Sequence, residues 1–169
     1  MNGEHQPAQS HLVLVGGGHA HVTVLKQFGM QPQPGRRLTL VSKDVFTPYS
    51  GMLPGLIAGH YSFAETHIDL APLARFAGAQ LIHASVTEID LVSKRLSIHG
   101  HERLTFDWLS INTGCTPGLS GTPGAAEWAL AVKPIDRFLL RWNTWLNEIR
   151  QPGYGVCRVL VAESGEKAE

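Results

Sequence analysis

Residues 12–21 read Leu12-Val13-Leu14-Val15-Gly16-Gly17-Gly18-His19-Ala20-His21. A short apolar run that ends in glycines is typical of a buried parallel strand turning sharply into a helix. Gly16 permits the tight turn, and Gly18 lets the backbone approach a pyrophosphate. The N-terminus of a helix beginning at His19 would then face that anion with free N–H groups and a favourable dipole. The stretch predicts a dinucleotide-binding turn, and a glycine turn in another kind of doubly wound sheet is the alternative.

Two histidines follow the glycines. His21 stands where the dinucleotide fingerprint has a third glycine, which normally allows close packing of helix on strand. We interpret His21 as a packing substitution and place His19 near the phosphates. Catalytic or metal-binding roles are the alternative, but residues two apart do not share one face of a helix.

The rest of the chain continues the α/β pattern. A helix is predicted from His19 to about Phe28, ended by Gly29, and a short helix is predicted through Phe76 with Asp69 as its cap. Pro134 to Arg150 predicts an amphipathic helix, whose apolar side consists of Ile135, Phe138, Leu139, Trp142, Trp145, Leu146 and Ile149. Buried strands are predicted at 37–41, 80–85, 109–112 and 156–161, and a small antiparallel meander at 87–91, 95–98 and 103–106.

The second strand ends without the acidic residue that the fingerprint places about 20 residues on to bind a ribose. The sequence here is Val41-Ser42-Lys43-Asp44. Ser42 could bond a ribose hydroxyl, more weakly than a carboxylate, and Lys43 could face a phosphate or an adenine. This departure and the meander argue against a plain NAD(P)-dependent Rossmann dehydrogenase.

Composition excludes several classes of protein. The 169 residues are 43% hydrophobic and only 17% charged, with 14 basic and 14 acidic side chains. The zero net charge gives no electrostatic reason to expect nucleic acid or an acidic membrane surface as a partner. No apolar stretch reaches the ~20 residues of a membrane span. Residues 1–10 read as a disordered tail without a secretory signal, and the spacing of Cys115 and Cys157 fits no CxxC pair, so we expect a cytoplasmic protein.

Three further stretches make a family resemblance specific. They are residues 47–59 (TPYSGMLPGLIAG), residues 86–90 (VTEID) and residues 105–114 (TFDWLSINTG). Together with the glycine turn they resemble the FAD-dependent pyridine nucleotide-disulfide oxidoreductase superfamily, in particular type II NADH dehydrogenases and sulfide:quinone oxidoreductases. The run at 47–55 is also similar to the oxidoreductase module often fused to selenide, water dikinase. The resemblance covers nearly all of residues 11–161.

The resemblance implies an α/β fold, a Rossmann-like FAD-binding domain with a parallel sheet and a small antiparallel β meander, over residues 11–150. Asn112 stands where the family usually has alanine, and Asp107 matches an acidic residue that is usually structural. No catalytic residue and no metal ligand is implied. The implied FAD contacts are the glycine turn (Gly16, Gly17, Gly18, His19, Ala20), the end of the second strand (Ser42, Lys43), the flavin-facing loop (Thr47, Pro48, Tyr49), the adenine-contacting Val86, and the turn Thr113-Gly114.

The chain also departs from the family pattern. The flavin-facing loop has no Cys-x4-Cys pair, which excludes a dithiol reductase, and Cys115 is interpreted as replacing a small residue, with a redox thiol as the alternative. In the family a strand like 157–161 opens an NADH-binding domain, yet residues 162–169 contain no second glycine turn. We therefore expect an incomplete two-dinucleotide-domain flavoprotein, with residues 151–169 a linker and a truncated strand.

Two functions remain open at this point. The first is the FAD-binding segment of an NAD(P)H-linked oxidoreductase, inactive alone, with NAD(P)H bound and peripheral membrane docking present only in a complete protein. The second is a truncated, non-catalytic remnant or interaction module without flavin. In relatives of the dikinase-fused kind, a downstream selenide, water dikinase domain would be a partner.

Overall fold

The computed structural model describes residues 10–114, 122–153 and 155–160. The chain divides into two compact units, residues 1–115 and 116–169. The first unit holds, in chain order, β1 (Ser10–Val15), α1 (His19–Met30), β2 (Arg36–Ser42), β3 (Phe46–Pro48), a 3-10 turn (Ser50–Met52), α2 (Leu53–Ile57), α3 (Phe63–Thr66), β4 (His67–Asp69), α4 (Leu70–Phe76), β5 (Gln80–His83), β6 (Val86–Asp90), β7 (Arg95–Ile98), β8 (Leu104–Thr105) and β9 (Trp108–Ile111). The second unit holds α5 (Ala125–Trp128) and α6 (Ile135–Ile149).

A four-stranded parallel sheet forms the centre of the first unit, in the order β5-β2-β1-β9. Both faces of the sheet are covered, which explains why β1 and β2 are apolar without alternation. On one face, buried side chains of the sheet and of the segments that cover it form a cluster of Val13, Val15, Val41, Leu96, Ile98 and Phe106. On the other face, they form a cluster of Leu14, Leu25, Leu38, Leu40 and Leu70. The predicted parallel sheet is therefore confirmed.

The predicted meander is also confirmed, because β6, β7 and β8 form a three-stranded antiparallel sheet. Its inward residues Leu96 and Ile98 belong to the first cluster, so the meander covers one face of the parallel sheet. A further antiparallel pair, β3 with β4, was not predicted. It joins Phe46 to Asp69 and thereby fixes the start of the flavin-facing loop beside the start of α4.

The end of α1 differs from the prediction. The helix continues through Gly29 to Met30, and the N–H of Gln31 donates to the carbonyl of Gln27 beyond it. A Cβ atom at residue 29 would overlap the ring of Phe76 on α4. Gly29 is therefore required for the approach of α4 to α1 and does not end the helix. By contrast, Asp69 caps α4 as predicted, accepting a hydrogen bond from the N–H of Ala71 at 2.9 Å.

The second unit confirms the amphipathic helix α6. Each of its seven predicted apolar residues is buried or half-buried, whereas Leu140 on the other side is exposed. The ring of Phe138 stacks on Trp142, with ring centroids 5.9 Å apart. None of the helices within the described residues is long and apolar enough to cross a membrane.

The predictions for the two ends of the chain are wrong where the structure describes them. Ser10 belongs to β1 and not to the tail, and residues 1–9 and 161–169 lie outside the described residues. The predicted strand at 156–161 is wrong for residues 156–160, which form no strand and leave Val156 97% and Leu160 91% exposed. Apolar sequence alone does not make a strand, because the backbone also needs a neighbouring strand to bond.

Candidate functional site

The glycine turn begins where β1 ends. Gly16 has φ +92°, in the left-handed region that favours glycine, and its N–H donates to the carbonyl of Val41 at 2.8 Å. A Cβ atom at Gly16 would overlap the backbone carbonyl of Asn112 at the end of β9. The turn is thus held against both neighbours of β1 in the sheet, and residue 16 has to be glycine for two separate reasons.

Gly18 is the N-cap of α1, and its N–H donates to the carbonyl of Asn112 at 3.1 Å. A Cβ atom at residue 18 would overlap Asn112 Oδ1, a buried oxygen that has no hydrogen-bond donor among the described residues. The sequence pattern predicts a glycine at this position so that a pyrophosphate can approach the backbone. In the structure the Asn112 side chain already requires a glycine at residue 18. A ligand of the turn would therefore approach from the side that faces away from Asn112.

His21 is buried, with 1% of its surface exposed, and makes two short contacts. Its Nδ1 lies 2.6 Å from the carbonyl oxygen of Gly16, and its Nε2 lies 2.9 Å from Oγ of Ser110 on β9. A carbonyl oxygen can only accept, so Nδ1 carries a proton, and in the neutral imidazole Nε2 then accepts from the Ser110 hydroxyl. His21 therefore fills space as expected, and it also links the turn to β9 through both ring nitrogens.

An open cleft lies at the carboxyl ends of the four parallel strands. In the sheet, β2 and β5 lie on one side of β1, and β9 lies on its other side. The strand order therefore reverses at β1, and the cleft lies at this switch point. Such crevices are where open α/β sheets bind ligands. Six of the predicted site residues lie on the wall of the cleft, which is lined by Val15, Gly16, Gly17, Val41, Ser42, Lys43, Asp44, Ala84, Ser85, Val86 and Thr113.

The end of β2 forms one wall of this cleft. The Ser42 side chain is buried, and its hydroxyl donates to the carbonyl of Asp44 at 2.7 Å. The oxygen of that hydroxyl still has lone pairs for an incoming donor such as a ribose hydroxyl. The ammonium group of Lys43 lies 3.4 Å from a carboxylate oxygen of Asp44, with both side chains about half exposed, so this pair adds little stability.

The remaining predicted residues lie beside the N-terminus of α1. Thr47 and Pro48 are in β3, and the N–H of Tyr49 donates to the carbonyl of Thr66 at 2.7 Å. The Tyr49 ring meets the His19 ring edge to face, with centroids 5.5 Å apart. Ala20 follows as an exposed residue of the first helical turn. The structure therefore brings the start of the flavin-facing loop next to the glycine turn.

At the end of β9, Gly114 has φ +80° and follows the cleft-lining Thr113. Cys115 lies outside the described residues. Asp107 is structural as expected, because its carboxylate accepts from the N–H of His11 at 2.6 Å and ties the start of β9 to β1.

Sequence reasoning missed the side chains that support the turn from a distance. Ser110 bonds His21 across 89 positions, and the Asn112 side chain meets Gly18 across a similar separation. Leu70 blocks the Cβ position of Gly17. No local pattern signals such contacts in a single sequence, although Asn112 stood out as a replacement for alanine.

The parallel sheet, the glycine turn and the cleft define the class of fold as Rossmann-like α/β, similar to the folds of an NDH2 and of a putidaredoxin reductase. No protein-family model matches the chain. The NADH dehydrogenase-like protein YutJ of Bacillus subtilis (strain 168) is 27% identical over 135 residues, which are 75% of this chain and 35% of that protein.

Solved structures agree with this likeness. The sulfide:quinone oxidoreductase of Aquifex aeolicus matches 85% of this chain and 33% of its own, with a TM-score of 0.66 and 21% identity. NDH2 of Plasmodium falciparum, solved with NADH, matches 85% of this chain and 31% of its own, with a TM-score of 0.70 and 18% identity. The predicted fold class and the predicted likeness to these two kinds of enzyme are confirmed. The chain spans about a third of the length of these relatives.

Proposed function

We propose that this chain is the FAD-binding part of an NAD(P)H-linked flavoprotein oxidoreductase. The observation that carries the proposal is the cleft at the switch point between β1 and β9, walled by the glycine turn and the ends of β2 and β5. Bound FAD would supply the redox chemistry, taking up electrons from a reduced nicotinamide and passing them to an acceptor.

The residues present fit the adenosine diphosphate half of such a cofactor. The first turn of α1 has no side-chain cap at Gly18, so its N–H groups can face a diphosphate. Gly17 lines the cleft beside it, and Ser42 Oγ can accept a bond from a ribose hydroxyl. The backbone at Val86 would contact the adenine at the far wall.

The flavin half would lie towards Tyr49. By the family resemblance, Thr47, Pro48 and Tyr49 would lie beside the isoalloxazine ring. The contact between the Tyr49 and His19 rings supports this, because it brings the loop next to the start of α1, where the diphosphate would bind. Gly114 would pass the cofactor on the side of β9. These residues bind and orient; we assign none of them as an acid or a base.

The names of the relatives suggest the electron donor and acceptor. NADH appears in the names of an NADH dehydrogenase-like protein and an NADH:rubredoxin oxidoreductase, and quinone in that of a sulfide:quinone oxidoreductase. We propose NAD(P)H as the electron donor of the complete oxidoreductase. The likeness of residues 47–55 adds a fused selenide, water dikinase domain as the proposed partner.

The test is retention of flavin by the purified chain. The protein is incubated with excess FAD and desalted, and its visible absorption spectrum is recorded. Thr113→Trp places an indole in the cleft and is expected to abolish the bands of bound flavin. Thr105→Trp, the same change at an exposed position on β8, is expected to retain them. Circular dichroism confirms that both variants are folded.

Colourless wild-type protein under these conditions would overturn the proposal. Equal flavin retention in all three proteins would show that FAD binds outside this cleft. A substitution at Gly18 is not suitable for this test, because it would disturb Asn112 whether or not flavin binds.

A further inference from the structure

We infer that His21 is a positioning residue that aims the N–H of Gly17 at the diphosphate of the bound nucleotide. The inference rests on the proposed nucleotide site. It identifies the side chain that fixes the direction of a backbone N–H in that site. It starts from the burial of His21 and its two hydrogen bonds, to Gly16 and to Ser110.

The peptide between Gly16 and Gly17 sets the direction of the Gly17 N–H. This peptide bond is trans, because among the described residues the cis peptide bond is Lys133-Pro134. In a planar trans peptide the C=O and the N–H point in opposite directions. The carbonyl of Gly16 points at His21 Nδ1, at 2.6 Å, so the N–H of Gly17 points away from His21.

The side of the turn that faces away from His21 lies towards the cleft. His21 is enclosed between α1 and β9, whereas Gly16 and Gly17 line the open cleft. The N–H of Gly17 makes no hydrogen bond within the described residues, although its neighbours Gly16 and Gly18 donate to Val41 and Asn112. Of the three glycines, Gly17 is therefore the one whose N–H can still donate to a ligand. An anionic oxygen is a strong acceptor for such a donor.

A turn made of three glycines needs an additional restraint. Glycine peptides rotate easily, because residues without Cβ have few steric limits on φ and ψ. A rotation of the peptide between Gly16 and Gly17 would turn the donor away from the cleft and present a carbonyl oxygen to the phosphate. The hydrogen bond from His21 opposes that rotation. The Gly16 carbonyl keeps the proton on Nδ1 because it can only accept, and the Ser110 hydroxyl, which can donate or accept, donates to Nε2.

Three variants separate this role from simple packing. Asn places its amide nitrogen as many bonds from Cα as Nδ1 of histidine, so His21→Asn can still donate to Gly16. His21→Leu fills space but donates nothing. Ser110→Ala removes the partner of Nε2 and leaves the bond to Gly16 in place. We expect His21→Leu to weaken ADP and FAD binding about tenfold, the effect of one ordinary hydrogen bond, and the other two to stay within about threefold of wild type.

The ligand series gives a second readout. The donor faces a phosphate, so His21→Leu should weaken ADP binding and leave adenosine binding unchanged in NMR titrations of the 169-residue chain. A general loosening of the fold would weaken both. The NMR spectrum of the nucleotide-free protein gives a third readout, in which the Gly17 amide signal should shift in His21→Leu and return towards the wild-type position in His21→Asn.

These measurements distinguish the failure of this inference from that of the proposed function. If wild-type protein binds neither FAD nor ADP, the nucleotide site is wrong, and the role assigned to His21 there falls with it; the Gly17 signal then reports only whether His21 orders the turn. If wild-type protein binds both and His21→Leu binds ADP equally well with an unchanged Gly17 signal, the inference is overturned and the site stands. Should His21→Leu fail to fold, His21→Asn with wild-type ADP affinity still supports the role of the donor, and a tenfold loss in His21→Asn overturns it.

Discussion

The buried side-chain oxygen of Asn112 occupies the place that a Cβ atom at residue 18 would need. Gly18 has φ −64°, which alanine adopts freely, so the obstacle to a larger residue there is steric and not conformational. We expect Gly18→Ala to lower the free energy of unfolding by about 2 kcal/mol, the cost of overpacking a well-filled contact. Asn112→Ala removes the obstructing oxygen, so the two changes should be strongly coupled.

A double-mutant cycle measured by urea denaturation tests this contact. Asn112→Ala alone should be close to neutral, because it removes a buried oxygen without a donor as well as some packing. In that background Gly18→Ala should cost less than about 1 kcal/mol, which gives a coupling energy of at least about 1 kcal/mol. Additive effects of the two changes would contradict the contact.

Gly16 provides the matched comparison in the same turn. Its Cβ would overlap the backbone carbonyl of Asn112, and its φ of +92° is unfavourable for alanine. Asn112→Ala changes neither obstacle. We expect Gly16→Ala to cost more than about 2 kcal/mol in both backgrounds, from strain and from overlap together. Rescue of Gly16→Ala by Asn112→Ala, in the same urea denaturation experiments, would show that the turn can shift away from β9.

A third prediction concerns Gly29 on α1 and Phe76 on α4. Gly29→Ala should destabilise the protein by about 1–2 kcal/mol, because the new Cβ would overlap the Phe76 ring. In a Phe76→Ala background the same change should stabilise it by about 0.5–1 kcal/mol, since alanine is the better helix former. Thermal unfolding of the wild type, the two single variants and the double variant measures whether Gly29→Ala destabilises or stabilises the protein in each background. Stabilisation by Gly29→Ala alone would mean that the ring, which is 56% exposed, moves aside at no cost.

Local patterns predicted the central part of this fold, and contacts between distant segments explain the differences. The apolar run, the glycines and the helix that follows them are adjacent in sequence, so the strand, turn and helix could be read from residues 12–21. Gly29 was misread because a glycine near the end of a helix can either stop it or make room for a neighbour, and only the position of Phe76 decides. Residues 156–160 have the composition of a strand, but whether they pair depends on another strand.

The candidate site shows the same division. The residues of the glycine turn and of the end of β2 were predicted, because a binding cleft at the carboxyl ends of parallel strands follows from the topology. The roles of Asn112 and Ser110 could not be predicted, because they arise from contacts of α1 and its N-cap with the end of β9, about 90 residues further along the chain. Whether the predicted residues bind FAD stays a prediction for the spectrum of the purified chain.

The last prediction concerns His11, which lies at the amino end of β1 with its Nε2 2.8 Å from Oγ1 of the fully buried Thr39. Burial lowers the pKa of His11 below its usual value, and the positive charge of Arg37 lowers it further, against smaller opposing effects of Thr105 and Asp107. The unfolded chain, with a histidine pKa near 6.5, therefore takes up a proton that the folded protein does not. Stability should be constant above about pH 7 and should fall as the pH drops through about 6.5, because protons then favour the unfolded state.

Replacing the imidazole isolates this contribution. His11→Gln keeps a polar atom at the position of Nε2 and cannot be protonated, so urea denaturation between pH 5 and pH 8, about the range over which histidine titrates, should show a smaller loss of stability on the acid side than in the wild type. His101→Gln, the same change at an exposed histidine, is the control and should keep the wild-type slope. The slope is the decisive quantity, because a lost hydrogen bond to Thr39 would lower stability equally at every pH. An unchanged slope in His11→Gln would mean that burial at the start of β1 does not hold His11 in its neutral form.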